Sequence, residues 1–429
     1  MLTYGQAVAY AVPVFLILIA VEFIADRMKG TRYYSLADTI NSLSCGIVST
    51  GSRVFLGFLA LFVYEWLYNH AAPVHLSTGV WWAWIFAFLL YDLCYYWEHR
   101  FGHTINLFWA AHVVHHQSEE FNLTTALRQS GTDSIFGFLP FAPLALCGVP
   151  LSMYLLVAVI QLFYQFWPHT RVIDKLGFLD RWIQTPSNHR VHHAQNDIYL
   201  DKNYVGVFLI WDHIFGSYQE ELDEEPCLFG IRGQLNSWNP VWANFHYYVA
   251  MAKDSWHTRS WKDKIKVWIM NPGWRPADVA ERFPKKPYDP RVDFKKFDPQ
   301  RSLSLSVYGL VQFVALVVAN SHFLSLLPKQ STALNLSYFS YIVISLVCLG
   351  GVLENRRPFL IAEAARLIVT AVAVLATGAW FGGLRGPAVV IPLLSFQLLS
   401  LFFVAQASLP AAPAFLSAQA NEPSERVTS

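Results

Sequence analysis

The stretch DLCYYWEHRFGHTINLFWAAHVVHHQS (Asp92–Ser118) and its downstream counterpart TPSNHRVHHAQ (Thr185–Gln195) decide how the rest of this chain is read. They hold three histidine sets: His99 and His103; His112, His115 and His116; His189, His192 and His193. The spacings are i/i+4 once and i/i+3/i+4 twice, offsets that place side chains on one helical face, one turn apart. Three helical faces can therefore aim imidazoles at one place. Each ring brings two polar nitrogens that need partners, so a dense cluster is poor packing material, whereas neutral imidazole is the commonest protein metal ligand. A lone HxxxH occurs on many solvated helices. Two HxxHH sets with an HxxxH point instead to metal, against the plainer reading of a hydrogen-bonded polar face.

The 429-residue chain around these sets is 54% hydrophobic and 14% charged, with mean hydropathy +0.31, the balance of a membrane protein. Aromatic residues reach 16%, with Trp frequent, which suits a large surface at the membrane interface. A net charge of +1 without a basic stripe argues against nucleic acid as a partner. The five cysteines, Cys45, Cys94, Cys147, Cys227 and Cys348, are scattered and lack CxxC spacing, which argues against a disulfide framework or a cysteine zinc site.

The expected fold class is all-α: a polytopic integral membrane protein with a cytoplasmic-face, histidine-rich di-metal site and a separate C-terminal helical bundle. Residues 1–79 read as N-terminal transmembrane helices. The run Val8–Phe23 has no basic leader before it and reads as a retained span, and Arg27, Lys29 and Arg32 after it place that end in the cytoplasm. A second span is expected over Arg53–Tyr68, then an uncharged outer loop. A third, Val80–Trp97, brings Glu98 and His99 back to the cytoplasmic face. Residues 80–225 read as the catalytic core. Within it Ile135–Trp167 is broken by Pro140, Pro143, Gly148 and Pro150, which predicts two short helices or a hairpin.

Residues 226–302 read as a cytoplasmic or interfacial segment. There Trp256, Trp261, Trp268 and Trp274 alternate with Arg259, Lys262, Lys264 and Lys266, a pattern that fits a helix lying on anionic lipid and equally a solvated helix with aromatic core contacts. Spans near 304–328, 335–353, 360–380 and 387–408 make a C-terminal four-helix bundle, 303–410, with Arg356 and Arg357 in an inner loop. Residues 411–429 read as a disordered tail.

Eight histidines are too many for one ion and suggest two. Imidazole suits iron, copper and zinc alike. The setting narrows the choice, because a site at the membrane face has lipid as its natural substrate. An unactivated C–H bond demands a redox metal with O2, and zinc has no redox chemistry. Asp92, Glu98, Gln117, Glu119, Asn122 and Asp133 are candidates to accept the outer N–H of a ligating imidazole.

HRFGH, HVVHH and HRVHH resemble the eight-histidine signature of the fatty acid hydroxylase and sterol desaturase superfamily of membrane di-iron oxygenases. EEFNLTTALRQS (119–130), LFYQFWPHT (162–170), LDRWIQTPSNHRVHH (179–193) and DKNYVGVFLIWDHIFGSYQEE (201–221) are similar to the alkylglycerol monooxygenase family within it. The resemblance covers roughly residues 80–225. It implies His169 as a ninth metal ligand, two Fe ions, O2 as co-substrate and an electron donor, either tetrahydrobiopterin or a redox protein. It also implies a membrane lipid substrate: hydroxylation of the carbon next to an alkylglycerol's ether oxygen would yield a fatty aldehyde and a glycerol derivative.

His213, in WDHIFG, is left out of the ligand set, and His70, His75, His246, His257 and His322 lack partners at ligand spacing. The alternatives are oxidation of a sterol, carotenoid, fatty acyl chain or sphingolipid by the same superfamily chemistry, a zinc hydrolase, and a non-catalytic metal-binding or transport protein. Transport sites are expected near the bilayer midplane, not at span ends. The expected location is a bacterial inner membrane, with the active site on the cytoplasmic side.

Overall fold

The computed structural model describes residues 4–407, with side chains from residue 13 to residue 406 except those of Ser134 and Phe136. The expected tail, 411–429, lies outside the described residues. The described residues are mostly helical, and the chain divides into two compact units, residues 1–356 and the part from Arg357 onward.

The first unit carries the long helices α1 (Tyr4–Lys29), α2 (Leu36–Leu56), α3 (Phe58–Ala71), α4 (Trp81–Thr104), α5 (Asn106–His116), α6 (Leu151–Phe166), α7 (Pro186–His193), α8 (Pro240–His257), α9 (Trp261–Ile269), α10 (Leu303–Leu326) and α11 (Thr332–Leu353). Their starts follow capping chemistry. Thr185 and Asn188 cap α7 reciprocally with Pro186 in its first turn; Asn239 accepts from Val241 N and Trp242 N at α8; Ser260 accepts from Asp263 N at α9. Each cap satisfies backbone donors that a helix start leaves unpaired. The predicted break in 135–167 is present as short helices at Asp133–Phe136, Leu139–Phe141 and Ala142–Leu146 before α6.

The expected second span, Arg53–Tyr68, is not one helix. α2 and α3 meet at a 50° bend, and the turn falls at Gly57, where a Cβ would stand 2.7 Å from Arg53 O. α4 packs through small residues: Ala83, Ala87 and Cys94 are buried against Leu144, Ala145, Met153 and Val157. Glycine and alanine at such contacts let helices close on one another.

Among the described residues, four helices are long and apolar enough to cross a membrane: Leu303–Lys329, Thr332–Leu353, Arg357–Thr377 and Pro387–Gln406, or five spans if the bent α2–α3 pair counts as one. α4 is not among them, because Asp92, Glu98, Arg100 and its Trp and Tyr residues keep its hydropathy low. The first expected span falls in α1, only part of whose side chains is described.

The expected separate four-helix bundle divides in two. α10 packs on α1 and α2, and α11 on α2 and α8. Phe339 of α11 lies where a side chain at Gly51 would be, its ring 2.0 Å from the position of a Cβ there. Glu354, which caps α11, accepts from Ser237 Oγ at 2.8 Å and from Trp238 N at 2.5 Å. These contacts tie the first two C-terminal spans into the histidine unit.

The second unit is a helical hairpin of α12 (Arg357–Thr377) and α13 (Pro387–Ala407), joined by the two-residue strands β1 (Ala379–Trp380) and β2 (Leu384–Arg385). Gly382 makes the turn between them with φ of 76°, a left-handed conformation that glycine adopts without strain. Inside α12, Arg366 forms a two-pronged pair with Glu363, at 2.7 and 2.6 Å.

Gly350 is where α11 meets the start of α8: a Cβ there would stand 2.3 Å from Trp238 O and 2.8 Å from Trp238 C. Backbone cannot yield as a side chain can, so Gly350→Ala is expected to destabilise the first unit by about 1–3 kcal/mol. Thermal inactivation in detergent checks this, with Gly79→Ala, where only Ser77 Oγ lies near, at 3.5 Å, expected to match the parent.

Candidate metal centre

Four segments converge. α4 presents His99 and His103 one turn apart. After the single residue Ile105, α5 presents His112, His115 and His116; His169 stands in the turn after α6, and α7 supplies His189, His192 and His193. Gly102 lets α5 close on α4, since a Cβ there would lie 3.3 Å from His112 Cγ. α7 is fixed by Arg190, which donates to Glu221 at 2.9 and 2.7 Å and to the carbonyls of Thr170 and Ile173.

The structure brings together all nine expected histidines, in two groups. His99, His103, His112, His116 and His192 form one; His115, His169, His189 and His193 form the other, and within each group every ring offers a nitrogen within 4.8 Å of the rest. The groups touch, with the His116 and His193 rings stacked at 4.3 Å between centroids. His213 makes its contact with Arg181 O at an exposed position. His70, His75, His246, His257 and His322 also lie outside both groups.

What orients the rings is backbone. His99 Nδ1 faces Tyr204 O at 2.7 Å, His115 Nδ1 faces Arg128 O at 3.0 Å, His169 Nδ1 faces Gln165 O at 2.9 Å and His192 Nδ1 faces Lys202 O at 2.9 Å. A carbonyl only accepts, so in each ring Nδ1 carries the proton and Nε2 is a bare lone pair. His115 Nε2 and His169 Nε2 nevertheless stand 3.2 Å apart, and His189 Nε2 is 2.9 Å from His169 Nε2. In the other group His99 Nε2 and His112 Nε2 are 3.1 Å apart, as are His112 Nε2 and His116 Nε2. His115 and His169 each keep Nδ1 on a carbonyl, so their facing Nε2 atoms are two lone pairs, which repel unless a cation lies between them.

His103 Nε2, His192 Nε2 and His193 Nε2 are buried with no hydrogen-bond partner among the described residues, although such groups are ordinarily satisfied. Two nitrogens at a right angle around an ion, each about 2.0–2.1 Å from it, stand about 2.9 Å apart. The observed 2.9–3.2 Å separations therefore fit a shared metal. Burial, and then the neighbouring rings, hold His112, His116, His189 and His193 well below the ordinary histidine range, and burial pushes His115 down to about 4. The neutral form is the ligating one.

None of Asp92, Glu98, Gln117, Glu119, Asn122 and Asp133 hydrogen-bonds to any of the nine rings among the described residues. Several act one step further out. Asp92 accepts from Val207 N, Phe208 N and Trp211 Nε1, which fixes the loop that delivers Tyr204 O. Gln117 accepts from Arg128 Nη2 at 2.8 Å. Glu119 ties Gln234 and Phe297; Asn122 caps Leu123–Ala126; Asp133 pairs with Arg53; and Glu98 lies on α4 with no hydrogen bond to the site.

The partners that sequence reasoning missed are the four residues Asp201–Tyr204. Asp201 and Asn203 both take the left-handed conformation, with φ of 58° and 56°. Lys202 O, between them, meets His192 and Tyr204 O, just after them, meets His99, while the Asp201 carboxylate lies 3.7 Å from His103 Nδ1. Asn203, fully buried, holds the conformation through Asn188 O, Gln219 O and Gln219 N. Arg128 was also missed. It is the largest fully buried side chain, binds Val114 O, Asn41 and Gln117, and so sets the carbonyl that receives His115.

A helical chain with apolar spans and nine imidazoles in two adjoining groups, eight of them buried and His112 half-buried, has the architecture expected of a metal-dependent membrane enzyme, and comparison with known proteins places it. The Fatty acid hydroxylase family model matches residues 84–217, a range that contains all nine histidines. The chain is 33% identical to the alkylglycerol monooxygenase of Homo sapiens over 84% of its own length and 80% of that protein. It is 32% identical to that of Danio rerio over 92% and 87%. It is also 28% identical, over 33% of its length and 43% of that protein, to the ornithine lipid hydroxylase OlsE of Rhizobium tropici. No solved structure matches. The chain belongs to the fatty acid hydroxylase family, and the two alkylglycerol monooxygenases resemble it over most of their length. Those relatives are animal proteins, and the expected bacterial inner membrane finds no support in them.

Two outcomes follow from this geometry. Asn203→Ala places alanine where the left-handed conformation costs roughly 1–2 kcal/mol and removes the bonds that aim Lys202 O and Tyr204 O; chelator competition is expected to show metal affinity about 10–100-fold weaker. The second concerns pH. Unfolded histidines titrate near 6.5 and the buried ones lower, so below about 6.5 the unfolded chain binds more protons than the folded one. Metal-free protein is thus expected to lose thermal stability as pH falls from about 6.5 toward 4; a flat profile across that window would contradict it.

Proposed function

We propose that the chain is a di-iron monooxygenase that hydroxylates the carbon next to the ether oxygen of an alkylglycerol. The observation that carries this reading is the pair of adjoining all-imidazole pockets in a chain so similar to alkylglycerol monooxygenases. Nine imidazoles exceed what one ion can take. His99, His103, His112, His116 and His192 would hold one iron, and His115, His169, His189 and His193 the other. Bound iron would supply the redox chemistry that activates O2, which zinc lacks. The electrons come from an outside donor, for which tetrahydrobiopterin is the first choice and a redox protein the second.

The chain's own residues prepare that chemistry. The carbonyls of Tyr204, Arg128, Gln165 and Lys202 keep the Nε2 lone pairs inward whether or not metal is present, so little reorganisation accompanies binding. Phe121, fully buried, lies against His169 and His193 and stacks on Phe229 at 4.9 Å. Trp109 covers His103 and His116 on another side. These rings give the pockets apolar walls that shield them from water on two sides.

One oxygen atom of O2 enters the C–H bond beside the ether oxygen, and the other leaves as water with two electrons and two protons from the donor. The resulting hemiacetal splits into a fatty aldehyde and a glycerol derivative. By the positive-inside pattern of Arg27, Lys29 and Arg32, we place the histidine face on the cytoplasmic side. The likeness to OlsE, named for hydroxylation of an ornithine lipid, favours a different lipid as the second reading.

Iron-loaded protein given an alkylglycerol, tetrahydrobiopterin and O2 is expected to release aldehyde in proportion to O2 consumed, with activity lost in His193→Ala. Hydroxylation of an ornithine lipid or a sterol without aldehyde from the ether lipid would move the substrate to the second reading. Hydrolytic turnover with zinc and no O2 consumption would overturn the oxygenase.

A further inference from the structure

The tryptophan-rich segment takes no part in the site chemistry, and its four tryptophans have different surroundings. Trp268 and Trp274 pack against Ala110, Met251 and Val267, directly behind α5. Trp256 and Trp261 do the opposite, at 82% and 81% exposed. On α8, Trp256 shares one helical face with Trp242 and Phe245, at offsets of fourteen and eleven residues, and both are exposed as well. On α9, Trp261, Ile265 and Ile269 repeat every fourth residue and are all exposed. Two consecutive helices therefore present apolar stripes left exposed among the described residues.

The charges beside these stripes are one-sided. The acidic neighbours are engaged: Asp254 with Arg275, Asp263 with Lys266 and Asp278 with Arg282. The side chains of Lys253, Arg259 and Lys262 are exposed and make no hydrogen bond or ion pair among the described residues. Exposed tryptophans flanked by free cations are the composition of a helix at a lipid surface.

Position agrees with composition. α8 begins at the end of a membrane-crossing helix, since Glu354, capping α11, binds Ser237 and Trp238 N. α9 is held at the start of α5, because Asn106 N donates to Met270 O and Asn106 Nδ2 to Val267 O. A span end lies at the headgroup level.

We propose that the α8–α9 hairpin is a membrane-surface anchor, with Trp242, Phe245, Trp256, Trp261, Ile265 and Ile269 bedded at the headgroup boundary of an anionic leaflet and Lys253, Arg259 and Lys262 on its phosphates. Because α9 is hydrogen-bonded to Asn106, the anchor fixes the height of α5, and so of three metal-site histidines, relative to the lipid.

Full-length protein in which Cys147 is replaced by serine, carrying a nitroxide at Ile265→Cys or at Trp256→Cys, tests this in vesicles of mixed zwitterionic and anionic phospholipid. The expected result is collision with O2 exceeding collision with a water-soluble nickel chelate at both positions, and the reverse at the exposed control Glu224→Cys. Adding Arg259→Glu and Lys262→Glu should raise nickel access at Ile265→Cys several-fold, with helix content unchanged. Nickel access at both positions equal to the control would overturn the anchor. So would spin–spin broadening between two copies, which would mean that a second chain covers the stripes.

Discussion

Everything at the centre of this protein depends on imidazole rings whose outer nitrogens are committed to backbone carbonyls. Once Tyr204 O, Arg128 O, Gln165 O and Lys202 O have taken the Nδ1 protons, the Nε2 atoms cannot relieve one another, because each offers only a lone pair. The folded chain thus stores an acceptor-lined space that a divalent cation completes. Repulsion there favours charge of the opposite sign, and burial keeps protons from supplying it at neutral pH.

Maintaining that arrangement takes much of the first unit. Arg128 carries the load for α5, reaching Val114 O, Asn41 on α2 and Gln117 at once. Asp92 on α4 gathers the backbone of Val207 and Phe208, and Asp212 that of Tyr204 and Val205. The site is therefore not a module with removable neighbours. α8 packs on α5, and α10 and α11 pack on α2, so the first two C-terminal spans buttress helices that position ligands.

Some of this was legible in residue order. Helical spacing alone predicts that eight histidines share faces, and the ninth, His169, came with family likeness, because nothing local distinguishes it from a turn residue. The helix bounds of the C-terminal spans could be read because long apolar runs have few alternatives. The N–H acceptors could not. A main-chain carbonyl has no letter in the sequence, and the carboxylates that sequence reasoning put forward act on the loops behind those carbonyls. Asp201 and Asn203 had a signal in principle, since aspartate and asparagine tolerate the left-handed conformation, but only the fold reveals that the peptides near them face His192 and His99. The division of the C-terminal helices rests on contacts far apart in sequence, such as Phe339 against Gly51.

The central claim is that two metal ions would sit side by side, each held by imidazole ligands. X-ray absorption on protein loaded anaerobically with iron, with metal counted per chain, addresses it directly. The account predicts two irons per chain, each in a nitrogen- and oxygen-only shell at about 2.0–2.2 Å dominated by imidazole scattering, with one iron lost in His169→Ala. A single bound ion, or sulfur in the first shell, would contradict it.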